Sequence, residues 1–288
     1  MTGRKLILVA GVSLGIAGCG GDGNPTGPGG GSNAAPSVTI SGPTSGSTFT
    51  AGQRITFSGS ATDPEDGALT GAALAWTSSR DGDLGNGGTL EINTLSVGTH
   101  TVTLRATDSG SRSATSTVSV SVNPVPTLPP VPGTQVLLQD DIDDENGGVA
   151  TTNFTNFTSW NVTRGCVDLH GPGSVNPLPG NGLYIDLDGS CDEAGRMESK
   201  VTYDLAVGTY ALELVLGGNN QLGPTDTVTF SVGTSFSQTI TVPENTPFEI
   251  RTFTFTVGSA TTGKIVMDNA GNDRQGVLID AVRLRKTG

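Results

Sequence analysis

Beyond residue 36 the apolar positions alternate with polar ones. Ile55 and Phe57, Leu74 and Trp76, Val102 and Leu104, and then Val118, Val120 and Val122 stand two apart. A period of two turns one face of a strand to a core and the other to water. Turn signals at Asp63-Pro-Glu-Asp-Gly67, Asp81-Gly-Asp83 and Asp108-Ser-Gly110 cut this pattern into short, regularly spaced strands. Residues 36–122 are therefore predicted to form a β-sandwich, with Trp76 in its core and His100 at a surface position of a strand.

The same reading extends to the C-terminal half. SWNVT, GLYIDLDG, MESKVTYDL, GTYALELVLGG, DTVTFSVG, FEIRTFTFTVG, GKIVMDN and GVLIDAVRLRK are strand candidates separated by Gly, Asn, Pro and Asp turns. No segment carries a helical stripe. Packing two antiparallel sheets face to face, as in a jelly roll, buries one core with so many strands. The predicted fold class is all-β, an immunoglobulin-like sandwich followed by a jelly-roll sandwich over 135–288. Between them lies NPVPTLPPVPGT, residues 123–134, whose prolines predict an extended spacer holding two domains apart.

The N-terminus is of another kind. Arg4 and Lys5 precede an apolar run from Leu6 to Ile16, the pattern of a secretory signal over 1–18. That run is far short of the ~20 residues that span a bilayer. Ile16-Ala17-Gly18-Cys19 resembles the bacterial lipobox, which implies cleavage before Cys19, lipid on its sulfur, and a membrane-anchored protein. Gly20 stands where the resembling inner-membrane retention signal has Asp, which implies the outer membrane, facing the periplasm or the cell surface. Residues 19–35 are Gly-rich and read as a flexible tether. With Cys19 given to lipid, Cys166 and Cys191 remain, either as a disulfide in an oxidising compartment or as two buried thiols. Closing that loop stabilises a fold by about 3 kcal/mol in the chain-entropy picture.

The formal charge of −12, with only 15 Lys and Arg in 288 residues, excludes nucleic acid as a partner, because phosphate contacts need a basic patch.

Two segments carry a family likeness. FSGSATDPEDG, LAWTSS and VGTHTVTLRATDSG together resemble a PKD-type immunoglobulin-like domain over 36–122. NGLYIDLDGS, VTYDLAVGTYALELVLGGN and NAGNDRQGVLIDAVRL resemble the galactose-binding-like jelly rolls of secreted bacterial proteins. That second resemblance implies a structural calcium between the end of the first strand and the last strand, and carbohydrate binding through loops at one end or through a concave face.

Candidate chemistry follows from these expectations. Asp140, Asp141, Asp143, Asp144 and Glu145 crowd one turn, and calcium takes hard oxygen ligands of this kind. An EF-hand register fails there, with Asn146 at its glycine position and Thr152 at its glutamate position, and the run from Asp186 to Cys191 fails likewise. The resemblance implies Asp141, Asp143, Glu145 and Asp280 as the calcium ligands. The alternative is a solvated acidic turn that blunts an edge strand. Asn219, Asn220, Asn269, Asn272, Asp273 and Arg274 offer amides, a carboxylate and a guanidinium to sugar hydroxyls from loops expected to face outward. Trp160 and Tyr184 stand in strand patterns and read as core ahead of sugar platforms. The only two histidines, His100 and His170, fall in different domains and near no nucleophile elbow or zinc motif, so catalysis is not expected. The expected function is a membrane-anchored, non-catalytic protein that binds glycan or extracellular polysaccharide. A purely structural or protein-adhesive surface component is the alternative, and a glycan-active hydrolase a distant third.

Overall fold

The computed structural model describes residues 33–174, 178–219, 225–271 and 273–288. The signal segment, Cys19, most of the Gly-rich tether, Asn220 and Asn272 lie outside them. Among the described residues no helix is long and apolar enough to cross a membrane.

The alternating stretches fold as strands throughout. In the N-terminal sandwich, Ile55–Asp63 pairs with Ser37–Gly42, Gly67–Leu69 and Thr89–Ile92 in one sheet. The facing sheet runs Ser47–Thr50, Ser113–Asn123, Gly98–Thr107, Leu74–Ser78 and Gly82–Asn86, with the first pair parallel. Phe57, Trp76, Val102, Leu104 and Val120 fill the space between them. Trp76 is fully buried and its indole N–H donates to the Gly87 carbonyl at 2.8 Å.

His100 corrects an expectation. It is 0 % exposed rather than a surface residue, because it shares the inward phase of Gly98–Thr107 with Val102, Leu104 and Ala106. Both ring nitrogens are used. Nε2 lies 2.6 Å from the Ser96 carbonyl and so carries the proton, and Nδ1 accepts from the Ser78 hydroxyl at 2.9 Å. A buried polar ring is tolerated because both partners are in place.

The C-terminal sandwich has two main sheets. One runs Asp168–His170, Tyr184–Asp186, Leu278–Lys286, Gly208–Gly217 and Glu249–Val257, with Gln135–Asp140 also paired to Leu278–Lys286. The other runs Trp160–Arg164, Arg196–Ser199, Ile265–Ala270, Asp226–Val232 and Phe236–Val242. Leu212, Leu214, Leu216, Phe230, Met267, Ile279 and Leu284 lie in the core between them.

The strand Gly208–Gly217 is buried on both faces from Tyr210 onward, which explains its near-continuous apolar sequence. Its outer-face Val215 joins Tyr184, Phe248, Leu278 and Ala281 in the same apolar cluster as Ala51, Leu95 and Val125 of the N-terminal side. Asn245 fastens this contact, accepting from the Arg54 N–H at 2.6 Å and donating to the Arg54 carbonyl at 3.2 Å.

The Pro-rich segment therefore does not hold two domains apart. Val125 is buried, Leu128 packs against the same cluster, and the buried Arg283 donates to the Pro129 carbonyl at 2.7 Å. Its prolines predict an extended spacer, but the apolar side chains between them give the segment a surface to lie on. Arg283 and Arg285 both bond Glu213, at 2.6 and 2.9 Å. Burial alone pushes the Glu213 carboxyl up, and the hydrogen bonds and charges of Arg285 and Arg283 outweigh it and hold the carboxyl below its ordinary value.

Two outcomes follow. Fragment 135–288 uncovers Tyr184, Val215, Phe248 and Leu278, and by calorimetry it should melt about 5 °C or more below the intact protein; an equal melting temperature would show that the interface contributes nothing. Glu213→Gln leaves Arg283 buried without its counter-charge and should cost about 3–5 kcal/mol in denaturant unfolding at neutral pH. Because Glu213 is depressed in the folded state, its contribution is full above the unfolded carboxyl value of 4.5 and fades as pH falls through the lower folded value, so the gap between variant and native protein should narrow in acid.

Candidate functional site

The last strand has one edge shared between two partners. Leu278 and Ile279 pair with Asp186 and Ile185, whereas Val282 to Lys286 pair with Asp140 to Gln135. Asp280 sits where one partner leaves and the other arrives. Asp141, Asp143 and Asn181 border the same cavity of about 140 Å³, whose wall includes Thr127 and Leu128 of the Pro-rich segment. Asn181 donates to Asp280 Oδ1 at 2.6 Å, and the Leu183 N–H donates to Asp143 Oδ1 at 2.8 Å. Burial, with the Asp143 and Asp141 charges adding to it against the Asn181 hydrogen bond, pushes Asp280 up to about 7. Burial also raises Asp143.

Three of the four residues expected to hold calcium are thus brought together. Glu145 is turned elsewhere. After Ile142 the backbone runs through left-handed conformations at Asn146 and Gly147, and the Glu145 carboxylate accepts the Thr158 N–H at 2.7 Å and its hydroxyl at 3.2 Å. Asp140 is likewise occupied, accepting the Trp160 indole N–H at 2.9 Å. The three remaining carboxylates suit a hard cation by charge and donor type. Among the described residues, no three or more His, Cys, Asp or Glu side chains stand as a metal-holding group.

A second polar cluster lies at the end of the jelly roll where several loops meet. Asp186 is its centre. Its Oδ1 accepts the N–H groups of Asp188 at 3.0 Å and Gly276 at 2.8 Å, and its Oδ2 accepts the Asn219 amide at 2.8 Å. One carboxylate thereby joins the loops that follow Tyr184–Asp186, Gly208–Gly217 and Ile265–Ala270. Gly276 is required at this approach, since a Cβ there would fall 2.3 Å from the Asp188 nitrogen. Burial holds Asp186 well above the usual carboxylate range, against those backbone hydrogen bonds and with the Asp168 and Asp188 charges adding to it.

The Cys166–Cys191 disulfide is formed and closes the loop beside this cluster, with the Gly189 N–H donating to the Cys166 carbonyl at 3.0 Å. Asp168 accepts the Ser190 hydroxyl at 2.5 Å and the Asn153 N–H at 2.7 Å.

Of the residues expected to contact sugar, Asn219 and Asn269 are buried rather than outward-facing, and Asp273 is half-buried. Arg274 is exposed and pairs with the exposed Asp192 at 2.6 Å. Trp160 and Tyr184 are core side chains, as their strand positions imply. His170 stacks on Tyr184 at 5.5 Å, and burial lowers its affinity for a proton, countered by Asp168. Asn181 and Asp226 were not foreseen as neighbours of these acids. Asn181 lies in a Gly-Pro-rich loop without periodicity, and Asp226 begins a strand whose inward phase, shared with Val228 and Phe230, was the available signal.

Comparisons with known proteins add fold-level neighbours only. No protein-family model matches the chain, and no curated protein matches it. Among solved structures, the fibronectin(III)-like modules of Clostridium thermocellum CbhA are 26 % identical over 32 % of this chain and 100 % of that one, with a TM-score of 0.25. TmCBM61, solved with β-1,4-galactotriose, is 16 % identical over 48 % of this chain and 99 % of that one, at 0.33. The carbohydrate binding module CBM6cm-2 from Cellvibrio mixtus lichenase 5A, solved with cellotriose, is 17 % identical over 54 % and 100 %, at 0.26. At TM-scores this low no ligand or activity passes to this chain, and its class, two successive β-sandwiches, rests on its own strands.

Proposed function

We propose that this is a bacterial outer-membrane lipoprotein, anchored through Cys19, in which a PKD-type domain carries a galactose-binding-like jelly roll that binds extracellular glycan without turning it over. One observation carries the reading. Loops from separate strands of the jelly roll are drawn together over the buried Asp186, which makes a polar rim at one end of the sandwich. Arg274 stands exposed on that rim and supplies the donor face for sugar hydroxyls, while Asn219, Asn269 and Asp273 shape the rim from beneath. Asp141, Asp143 and Asp280 would hold the structural calcium at the gap in the last strand's pairing, its chemistry being charge neutralisation of three crowded carboxylates.

A protein-adhesive reading without a small ligand has its own support. The two aromatic side chains weighed as sugar platforms, Trp160 and Tyr184, are buried.

The intact protein should be retained by at least one acidic or neutral polysaccharide in affinity electrophoresis, and Arg274→Ala should weaken that retention about 10-fold, equivalent to about 1.4 kcal/mol. No retention across a broad panel favours the adhesive reading. Turnover of any glycoside overturns the non-catalytic one. Cys19→Ser should move the protein from the membrane fraction to the soluble fraction, and an unchanged distribution contradicts the anchor.

A further inference from the structure

The polar cluster beneath the loop rim holds more oxygen than its neighbours use. Asp188 and Asn269 are both fully buried. Among the described residues Asp188 Oδ1, Asp273 Oδ2 and both side-chain atoms of Asn269 have no hydrogen-bond partner. Buried amides and carboxylates are ordinarily satisfied, so several orphans at one place call for a ligand.

The side chains that carry these atoms lie around one glycine. A Cβ set on Gly271 would lie 3.0 Å from Asp188 Oδ2, 3.5 Å from Asn269 Nδ2 and 3.9 Å from Asp273 Oδ1. The groups also feel one another's charge. Asp226 is pushed up to about 7 by burial first and then by Asp273 and Asp188, and Asp188 is raised by burial and by Asp273.

The nearby cations are engaged elsewhere. Arg274 bonds Asp192, and Arg164 bonds Asp268 at 2.6 Å and the Asn269 carbonyl at 2.9 Å. The loops themselves are fixed without help from these oxygens, through Asp186 and through the Asp273 N–H, which donates to Asp188 Oδ2 at 3.1 Å.

We propose that Asp188 and Asp273, with the amide oxygen of Asn269, hold a calcium-type divalent cation beneath the loop rim. Two carboxylates and an amide oxygen are hard donors suited to calcium, and backbone carbonyls and water complete its six to eight ligands. Because the third oxygen is an amide, the set differs from a cluster of three acidic side chains. Turning the Asn269 amide so that its oxygen faces the ion costs no hydrogen bond. This site is separate from the one at Asp280 and does not rest on glycan binding.

The test is calcium titration of the chelator-treated intact protein by calorimetry. Native protein is expected to bind, the double variant Asp188→Asn with Asp273→Asn to lose about 100-fold in affinity at this site, and Asn269→Ala to lose about 10-fold. With any calcium at the last-strand site removed by Asp280→Asn, this binding should remain. Calcium binding unchanged in the double variant, or none by the native protein at millimolar calcium, overturns the proposal.

Should the double variant not fold, hydrogen exchange of the native protein decides. Calcium is expected to protect residues 186–191, 269–271 and 273–276, and equal exchange with chelator overturns the site. Protection of those loops by saccharide alone would sink the cation and leave the glycan reading standing, whereas calcium protection with no saccharide bound anywhere does the reverse.

Discussion

The last strand, Leu278–Lys286, ties the two sandwiches and both acidic clusters together. One edge pairs with Gly208–Gly217 along its length, and the other is divided between Tyr184–Asp186 and Gln135–Asp140. Its inner face supplies Ile279, Val282 and Leu284 to the jelly-roll core, and its outer face gives Leu278 and Ala281 to the cluster shared with the N-terminal sandwich. A strand closed at both edges and on both faces has no route to water short of unfolding its neighbours. Its polar residues are correspondingly constrained. Arg283 is fully buried against Glu213 and the Pro129 carbonyl, and Asp280 sits in the break between two partners.

The two acidic sites arise from the same architecture. Where strands leave a shared edge, or where loops cross the end of a sandwich, backbone N–H groups lose their ladder partners and carboxylates take them up. Asp143, Asp168, Asp186 and Asp188 each accept at least one backbone N–H in this way. Such carboxylates are fixed by the fold and then crowd one another. The rim above Asp186 is therefore held rigid from below, which favours a binding surface that needs little reordering.

Much of this was legible in the residues. Period-two alternation located the strands of both sandwiches, and the joint placement of Asp141, Asp143 and Asp280 followed from the likeness that sets first strand beside last. Glu145 departs from the expected set because it lies in an irregular turn, with left-handed backbone at Ile142 before it and Asn146 after it, and its carboxylate bonds Thr158, none of which periodicity reports. His100 was read as outward because it is polar, although its phase with Val102 and Leu104 already pointed inward. The linker's prolines announced an extended chain but not its packing, which depends on Val125 and Leu128 meeting a surface assembled from distant strands. Asn219 and Asn269 read as loop amides facing water; Asn219 turns inward to bond the buried Asp186, and Asn269 lies in the inward phase of Ile265–Ala270 with Ile265 and Met267.

The closed last strand couples the two sandwiches into one cooperative structure. Native-state hydrogen exchange on the intact protein is the test. The amides of Leu278–Lys286 and Gly208–Gly217 should exchange only with the free energy of global unfolding, and the core amides of Gly98–Thr107 in the N-terminal sandwich should share that free energy. Separate and unequal opening free energies for the two sandwiches, with the last strand exchanging at the lower one, would contradict the claim.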